Sequence, residues 1–418
     1  MNNLIGFKCT LCGQEYGVDE VEYVCPKHGD DGILDAVYDY QAIRQQVSPA
    51  KLAAHQSSAA LNLFRYKPLL PIDSESADLP LQIGWTPLYR APRLEKMLGL
   101  REVWIKDDGR NPTASFKDRA SSVVVVKARE LKRDLITTAS SGNAGAALAG
   151  MAASINLPAV IFVPQTAPQA KVAQLLIYGA QVFLVKGNYD VAFDLCLQAS
   201  KEFDWYCRNT AYNPITVEGK KTAALEICEQ LDWRAPDRIF VSVGDGNIIS
   251  GLHSGLRDLA ALGWIEAMPK LMGIQAEGSA AVYNAWRDGQ TEITPVNGHT
   301  LADSINVDLP RDGRRAVRSI RATHGEASTV TDEEILAAMR LLARETAVFA
   351  EPAAGTAVAG FLKAAQAGRI GTDERVVVVI TGSGLKDVNS AIKAAGQAHV
   401  IEPELTAVQA ALKPIGLL

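Results

Sequence analysis

The sequence predicts an α/β protein organised around parallel sheets. From Trp85-Thr86-Pro87-Leu88 onward, apolar strand-like runs alternate with amphipathic helical stretches. The strand-like runs are continuous in Val and Ile, as in strands buried on both faces, and glycine-bearing turns follow them. At 418 residues, with 48% hydrophobic and 21% charged residues, the chain is long enough for two or three domains around a large core. A net charge of −5 without a long basic run argues against nucleic acid as a partner. No apolar stretch is long enough to span a bilayer, and Met1-Asn2-Asn3-Leu4 does not open a secretory signal. Cys9, Cys12 and Cys25 cluster, whereas Cys196, Cys207 and Cys228 lie apart in apolar contexts; this fits a reducing cytoplasm better than a disulfide framework.

Taken in order, residues 1–40 read as a separate small unit. Cys9-x-x-Cys12 and Cys25-x-x-His28 form two knuckles, each followed by a glycine (Gly13, Gly29) that permits a tight turn. The pairing resembles a zinc ribbon, with Cys9, Cys12, Cys25 and His28 as ligands of a structural zinc ion; the alternative is two turns without metal. So small a unit needs an ion or docking onto the main body. Residues 41–82, with Ser57-Ser58 and Pro68, Pro71 and Pro80, read as a helix and a connecting arm. Strands are expected at 103–106, 135–139, 159–163, 182–185, 239–243, 271–275 and 376–381, and helices at 144–154, 191–203, 222–231 and 332–345. The last helix opens Thr331-Asp332-Glu333-Glu334, a capping-box spacing.

Four segments carry chemistry. In Asn111-Pro112-Thr113-Ala114-Ser115-Phe116-Lys117-Asp118-Arg119, Lys117 stands at the mouth of an apolar helix, a place suited to imine formation with an aldehyde cofactor. The turn Ala139-Ser140-Ser141-Gly142-Asn143-Ala144-Gly145 offers hydroxyls, backbone N–H groups and an amide to a carboxylate and a phenolic oxygen. In Val243-Gly244-Asp245-Gly246-Asn247-Ile248, glycines let the backbone approach a phosphate at a helix N-terminus. Asp245 would repel that phosphate, so its side chain is expected to point away. The turn Thr381-Gly382-Ser383-Gly384-Leu385-Lys386-Asp387 could seat a hydroxyl near a ring nitrogen. Singly, these are ordinary helix caps and glycine kinks.

In this order the four segments resemble fold-type II pyridoxal-phosphate enzymes (a tryptophan synthase β-like architecture), and threonine synthases most closely, over roughly residues 80–395. The resemblance includes Glu218-Gly219-Lys220-Lys221-Thr222, near the family's Glu-Gly-x-Lys-Thr run, and Phe349-Ala350-Glu351-Pro352-Ala353; cysteine knuckles also recur in some members. It implies two doubly wound α/β domains plus the zinc-ribbon-like segment. The larger, cofactor-binding domain would comprise 83–120 and 222–400, the smaller 121–221, with 401–418 as a tail. Lys117 would hold pyridoxal phosphate and move protons. Asn143 would bind its phenolic oxygen, Gly244, Asp245, Gly246, Asn247 and Ile248 its phosphate, and Thr381 would face its ring nitrogen. Ser140, Ser141 and Gly142 would receive the carboxylate of an amino-acid substrate. The implied reaction converts O-phosphohomoserine and water to threonine and phosphate in a cytoplasmic homodimer.

There is one departure from the family pattern. Many threonine synthases carry a phosphate-binding arginine two residues before the glutamate of that run, where this chain has Thr216. Arg110 is expected to compensate, with Lys220 or Lys221 as other candidates. A serine/threonine dehydratase or a cysteate synthase acting on phosphoserine would share most of these motifs. A catalytically silent regulatory protein would be expected to lack Lys117. His253, His299 and His324, like Asp118 and Arg119, are read as structural.

Overall fold

The computed structural model describes residues 3–140, 142–167, 169–396 and 398–417. At the N-terminus, β1 (Leu4–Cys9), β2 (Glu15–Tyr16) and β3 (Leu34–Tyr38) form a small antiparallel sheet in the order β2-β1-β3. It does not close a core of its own. Leu4, Phe7, Leu34 and Tyr38 join the largest apolar cluster of the molecule, so docking supplies the burial that so short a segment lacks. The following stretch contains the expected helix, Tyr40–Gln46, where the Asp39 carboxylate accepts from the Gln41 and Ala42 N–H groups.

Beyond the arm come β4 (Leu88–Arg90), β5 (Glu102–Asp107), β6 (Ile136–Ala139), β7 (Ala159–Pro164), β8 (Gln181–Val185) and β9 (Tyr206–Cys207). They are followed by β10 (Arg238–Ser242), β11 (Lys270–Ala276), β12 (Glu326–Val330) and β13 (Arg375–Ile380). These strands build two sheets. One runs β12-β11-β10-β13-β5-β4, parallel except for β4 at its edge; the other runs β8-β7-β6-β9 and is wholly parallel. Val376, Val377, Val378, Val379 and Ile380 are fully buried, as their continuous apolar run predicts. β8 departs from that expectation: Phe183 and Leu184 are about half exposed, because β8 is an edge strand bonded only to β7. Among the described residues, no helix is long and apolar enough to cross a membrane.

Two helices, Lys117–Glu130 and Ile215–Gln230, cross in the interior. The second begins well before the expected residue 222. It is buried nearly all round, so no amphipathic period marks its start. A Cβ at Gly219 would lie 2.2 Å from the Arg119 carbonyl oxygen, so glycine sets how closely the helices approach. Beside this crossing, the wholly buried Arg119 forks onto Asp108 (Nε–Oδ2 2.5 Å, Nη2–Oδ1 2.9 Å) and onto Glu226 (2.6 and 2.7 Å). Lys106 adds a 2.8 Å contact to Glu226.

The N-terminal sheet is wired to the same region. Tyr38 donates to Glu218 at 2.7 Å, and Lys221 pairs with Glu218 (2.5 Å) and Asp258 (2.7 Å). Asp35 pairs with Arg315 (2.9 Å), Arg315 with Asp312 (2.9 Å), and Asp312 accepts from Asn247 Nδ2 (2.8 Å).

Candidate active site

A cavity of about 360 Å³ opens where β6, β10 and β13 end, at the C-terminal edges of both sheets. Its wall contains Lys117, Ser140, Gly142, Asn143, Lys220, Gly244, Asp245, Gly246, Asn247, Ile248 and Thr381. The structure thus brings together residues that the sequence spreads over more than half its length. Ser141 lies outside the described residues.

Lys117 is the first residue of its helix and is held by the turn before it. Phe116 N–H donates to the Thr381 carbonyl (2.8 Å), Ser383 N–H to that of Ala114 (3.1 Å), and Thr113 N–H to the Asp118 carboxylate (2.6 Å). Asp118 is therefore a brace for the turn. The Lys117 amine faces the cavity with no hydrogen-bond partner among the described residues. Burial, and then the nearby Arg208 cation, lower its pKa, against the opposing charges of Glu351 and Asp245. Both effects favour the neutral, nucleophilic amine.

The 244–248 turn makes a cradle. Gly246 has φ +92°, and a Cβ there would lie 2.8 Å from the Asp312 carbonyl oxygen, so only glycine fits. Gly246 caps the helix Asn247–Leu262 without a side-chain hydrogen bond, leaving first-turn N–H groups for an anion. Lys220 donates to Asn247 Oδ1, which fixes its amine beside that turn. Ser242 Oγ, in the same wall, is buried without a partner among the described residues. An unpaired amine, a glycine cradle at a helix N-terminus, a flanking lysine and an orphaned hydroxyl fit a phosphorylated aldehyde.

Some expectations change. Asp245 does not turn out of the site. It lines the cavity, accepts from Arg311 N–H at 3.3 Å, and has a raised pKa because burial outweighs that bond and the charges of Lys117 and Lys220. Arg110 is exposed on the 108–110 turn and does not line the cavity, so it does not replace the missing arginine. Lys221 is committed to Glu218 and Asp258, which leaves Lys220 as the candidate in the wall. Asn143 Nδ2 donates to both Glu351 oxygens, at 2.8 and 3.1 Å.

Glu351 was missed as a site residue. Its carboxyl lines the cavity, and burial raises its pKa although Asn143 and Lys117 oppose this. The motif 349–353 held it, but only the fold shows that it meets Asn143. Arg208, which does not line the cavity but whose charge helps lower the Lys117 pKa, gave no sequence signal at all. His253, His299 and His324 do not line the cavity.

Away from the cavity, Cys9, Cys12, Cys25 and His28 converge with their ligand atoms within 4.8 Å of one another. Tyr16 Oη lies 3.0 Å from Cys25 Sγ.

Comparison with known proteins agrees with this geometry. Residues 79–382 match the family described as pyridoxal-phosphate dependent enzyme. A threonine synthase of Methanocaldococcus jannaschii is 40% identical over 410 residues, covering 98% of this chain and 99% of that protein. One from Methanosarcina acetivorans is 39% identical over 407 residues, covering 97% and 98%. Among solved structures, threonine deaminase isoform 2 of Solanum lycopersicum superposes with TM-score 0.64 at 24% identity, covering 75% of this chain and 88% of that one, a likeness of fold. The chain belongs to the pyridoxal-phosphate dependent enzymes of fold type II, and within them to the threonine synthase family.

Proposed function

We propose that the protein converts O-phosphohomoserine and water to threonine and inorganic phosphate. The observation that carries this reading is the unpaired Lys117 amine facing the 244–248 cradle, in a chain alike over its whole length to threonine synthases. Pyridoxal phosphate, when bound, supplies an electron sink for negative charge formed beside the amino-acid nitrogen. In this reading Lys117 holds that cofactor and, once released by the substrate's own amine, takes and returns protons at the substrate carbons above it. The 244–248 turn and Lys220 bind the cofactor's anionic tail. The Ser140 hydroxyl, whose oxygen accepts from Gly142 N–H at 3.2 Å, donates to the substrate carboxylate in this reading, together with Ser141 and Gly142. Thr381 places a hydroxyl at the ring nitrogen, which does not hold that nitrogen protonated as a carboxylate would. The Glu351 carboxyl orients Asn143 toward the phenolic oxygen. Over the whole reaction the substrate's γ-carbon–oxygen bond breaks, phosphate leaves, and water supplies the hydroxyl at Cβ.

The test offers O-phosphohomoserine, phosphoserine, serine and threonine side by side, measuring phosphate, keto acid and product amino acids. Threonine and phosphate are expected in equal amounts from O-phosphohomoserine, with kcat/KM about 10–200-fold lower for phosphoserine, one methylene shorter. Keto acid from serine or threonine as the dominant product would replace this reading with a dehydratase, and preferred use of phosphoserine with a cysteate synthase.

We also propose that Cys9, Cys12, Cys25 and His28 hold one structural zinc ion and that the cytoplasmic protein is a homodimer. The first is supported by the converging ligand atoms, the second by exposed Leu385, Val388, Ile392 and Leu405. Native mass spectrometry reads both: two chains with one zinc each are expected. Chelation should then lower Tm without bleaching the cofactor. A metal-free monomer would refute both proposals.

A further inference from the structure

We infer that Asp312 and Arg315 are positioning residues of the cofactor-phosphate cradle: they fix which way the Asn247 amide faces, and so where the Lys220 amine stands. This deepens the proposed role of the 244–248 turn and rests on it. Neither residue lines the cavity, so both act through other groups. Both are buried, Asp312 completely. Asp312 stands directly before the helix Gly313–Ala322, where an aspartate ordinarily accepts from the first N–H groups of its own helix. Here its carboxylate makes no such bond. Oδ2 accepts from Asn247 Nδ2 at 2.8 Å, and Oδ1 from Arg315 Nε at 2.9 Å, with Arg315 Nη2 closing on Oδ2 at 3.0 Å. The guanidinium is held in turn, through Nη1, by Asp35 (2.9 Å) and the Leu34 carbonyl (3.3 Å). A two-point grip therefore sets the carboxylate before it meets Asn247.

The backbone of Asp312 serves the same turn. Its N–H donates to the Asp245 carbonyl at 2.9 Å, and its carbonyl oxygen would lie 2.8 Å from a Cβ at Gly246. One residue thus meets three consecutive members of the cradle, 245, 246 and 247. The chemistry of the amide gives the last contact a direction. An amide donates through its nitrogen and accepts through its oxygen, whereas a carboxylate only accepts. Asp312 therefore claims Nδ2 and leaves Oδ1 for Lys220, which donates to it. With the amide reversed, Asn247 would turn N–H groups on the Lys220 amine, which would lose its anchor. Burial lowers the pKa of that amine, and Arg208 and Lys117 add to this, against the charges of Asp312 and Asp245. A phosphate arriving beside it favours the ammonium form, of whose three donors Oδ1 takes one and leaves two for the phosphate. A contact that only tied the helix to the N-terminal sheet would need Arg315 and Asp35, and not Asn247.

The test titrates pyridoxal phosphate, and pyridoxal, which lacks the phosphate, into full-length protein stripped of cofactor, for wild type and Asp312→Asn. The variant is nearly isosteric but offers one acceptor atom instead of two, so it cannot hold both Asn247 and Arg315 as the carboxylate does. Binding is read by the visible absorbance of the aldehyde on Lys117. Wild type is expected to favour the phosphorylated form by on the order of 100-fold or more. In Asp312→Asn the affinity for pyridoxal phosphate should fall about 10-fold while that for pyridoxal stays unchanged, so the preference narrows by the same factor. An Asp312→Asn protein that keeps the wild-type preference overturns the inference and leaves Asp312 and Arg315 a tie between their helix and the N-terminal sheet. An equal loss for both aldehydes does so too, since it marks a general loosening of the pocket. If that variant does not fold, Arg315→Lys, which keeps the charge but loses the fork, is judged by the same ratio. A wild type that binds the two aldehydes equally refutes the role of the 244–248 turn itself, and the inference falls with it.

Discussion

Replacing Lys117 with alanine is expected to abolish the visible absorbance of bound cofactor and to lower turnover by on the order of 10³-fold or more. No other amine of the cavity can take over. Lys220 is tied to Asn247, and Lys221 is locked between two carboxylates. The loss should be chemical rather than structural. The Lys117 amine makes no hydrogen bond to the described residues, and its removal takes a poorly solvated group out of the wall. The Tm of the cofactor-free variant should therefore match that of cofactor-free wild type. The measurement is an absorbance spectrum, a turnover assay and a thermal scan on one preparation. Absorbance and turnover that persisted together would remove the foundation of the proposed function.

The second large effect concerns stability. Arg119→Met leaves Asp108 and Glu226 buried with Lys106 as the remaining cation, and should destabilise the fold by about 3–5 kcal/mol. For a chain of this length that lowers Tm by roughly 3–6 °C. Arg287→Ala, which breaks an exposed pair with Asp288, should leave Tm unmoved. The pH dependence separates the two causes. Burial alone would raise the Glu226 carboxyl, but Arg119 and Lys106 outweigh it and hold it down to about 2, against an ordinary value of 4.5. A carboxyl depressed in the folded state contributes stability above about pH 4.5 and loses it as pH falls toward 2. In Arg119→Met the carboxyl protonates at higher pH, so the deficit against wild type should narrow on acidification. A deficit independent of pH would assign the loss to packing instead.

The apolar runs at 239–243, 271–275 and 376–381 were legible because buried parallel strands need no alternation. β12, Glu-Ala-Ser-Thr-Val, was not, since only part of it is apolar, and β9 is too short to leave a pattern. The cradle and Lys117 were readable because each lies in a local run of glycine, hydroxyl and amide residues. Arg208 and Glu351 were not, because their meaning depends on what long-range folding places opposite them. Local spacing also misled at Arg110, where nearness to Lys117 in sequence did not become nearness in the cavity.

The path from Asp35 through Arg315, Asp312 and Asn247 to Lys220 makes the first forty residues part of the pocket's framework rather than an appendage. Cutting them away would strand the Arg315 guanidinium without one of its two carboxylates and Glu218 without the Tyr38 phenol. A chimera that exchanges this segment with a relative must therefore carry both sides of each contact, because the graft is joined through charges as well as through peptide bonds.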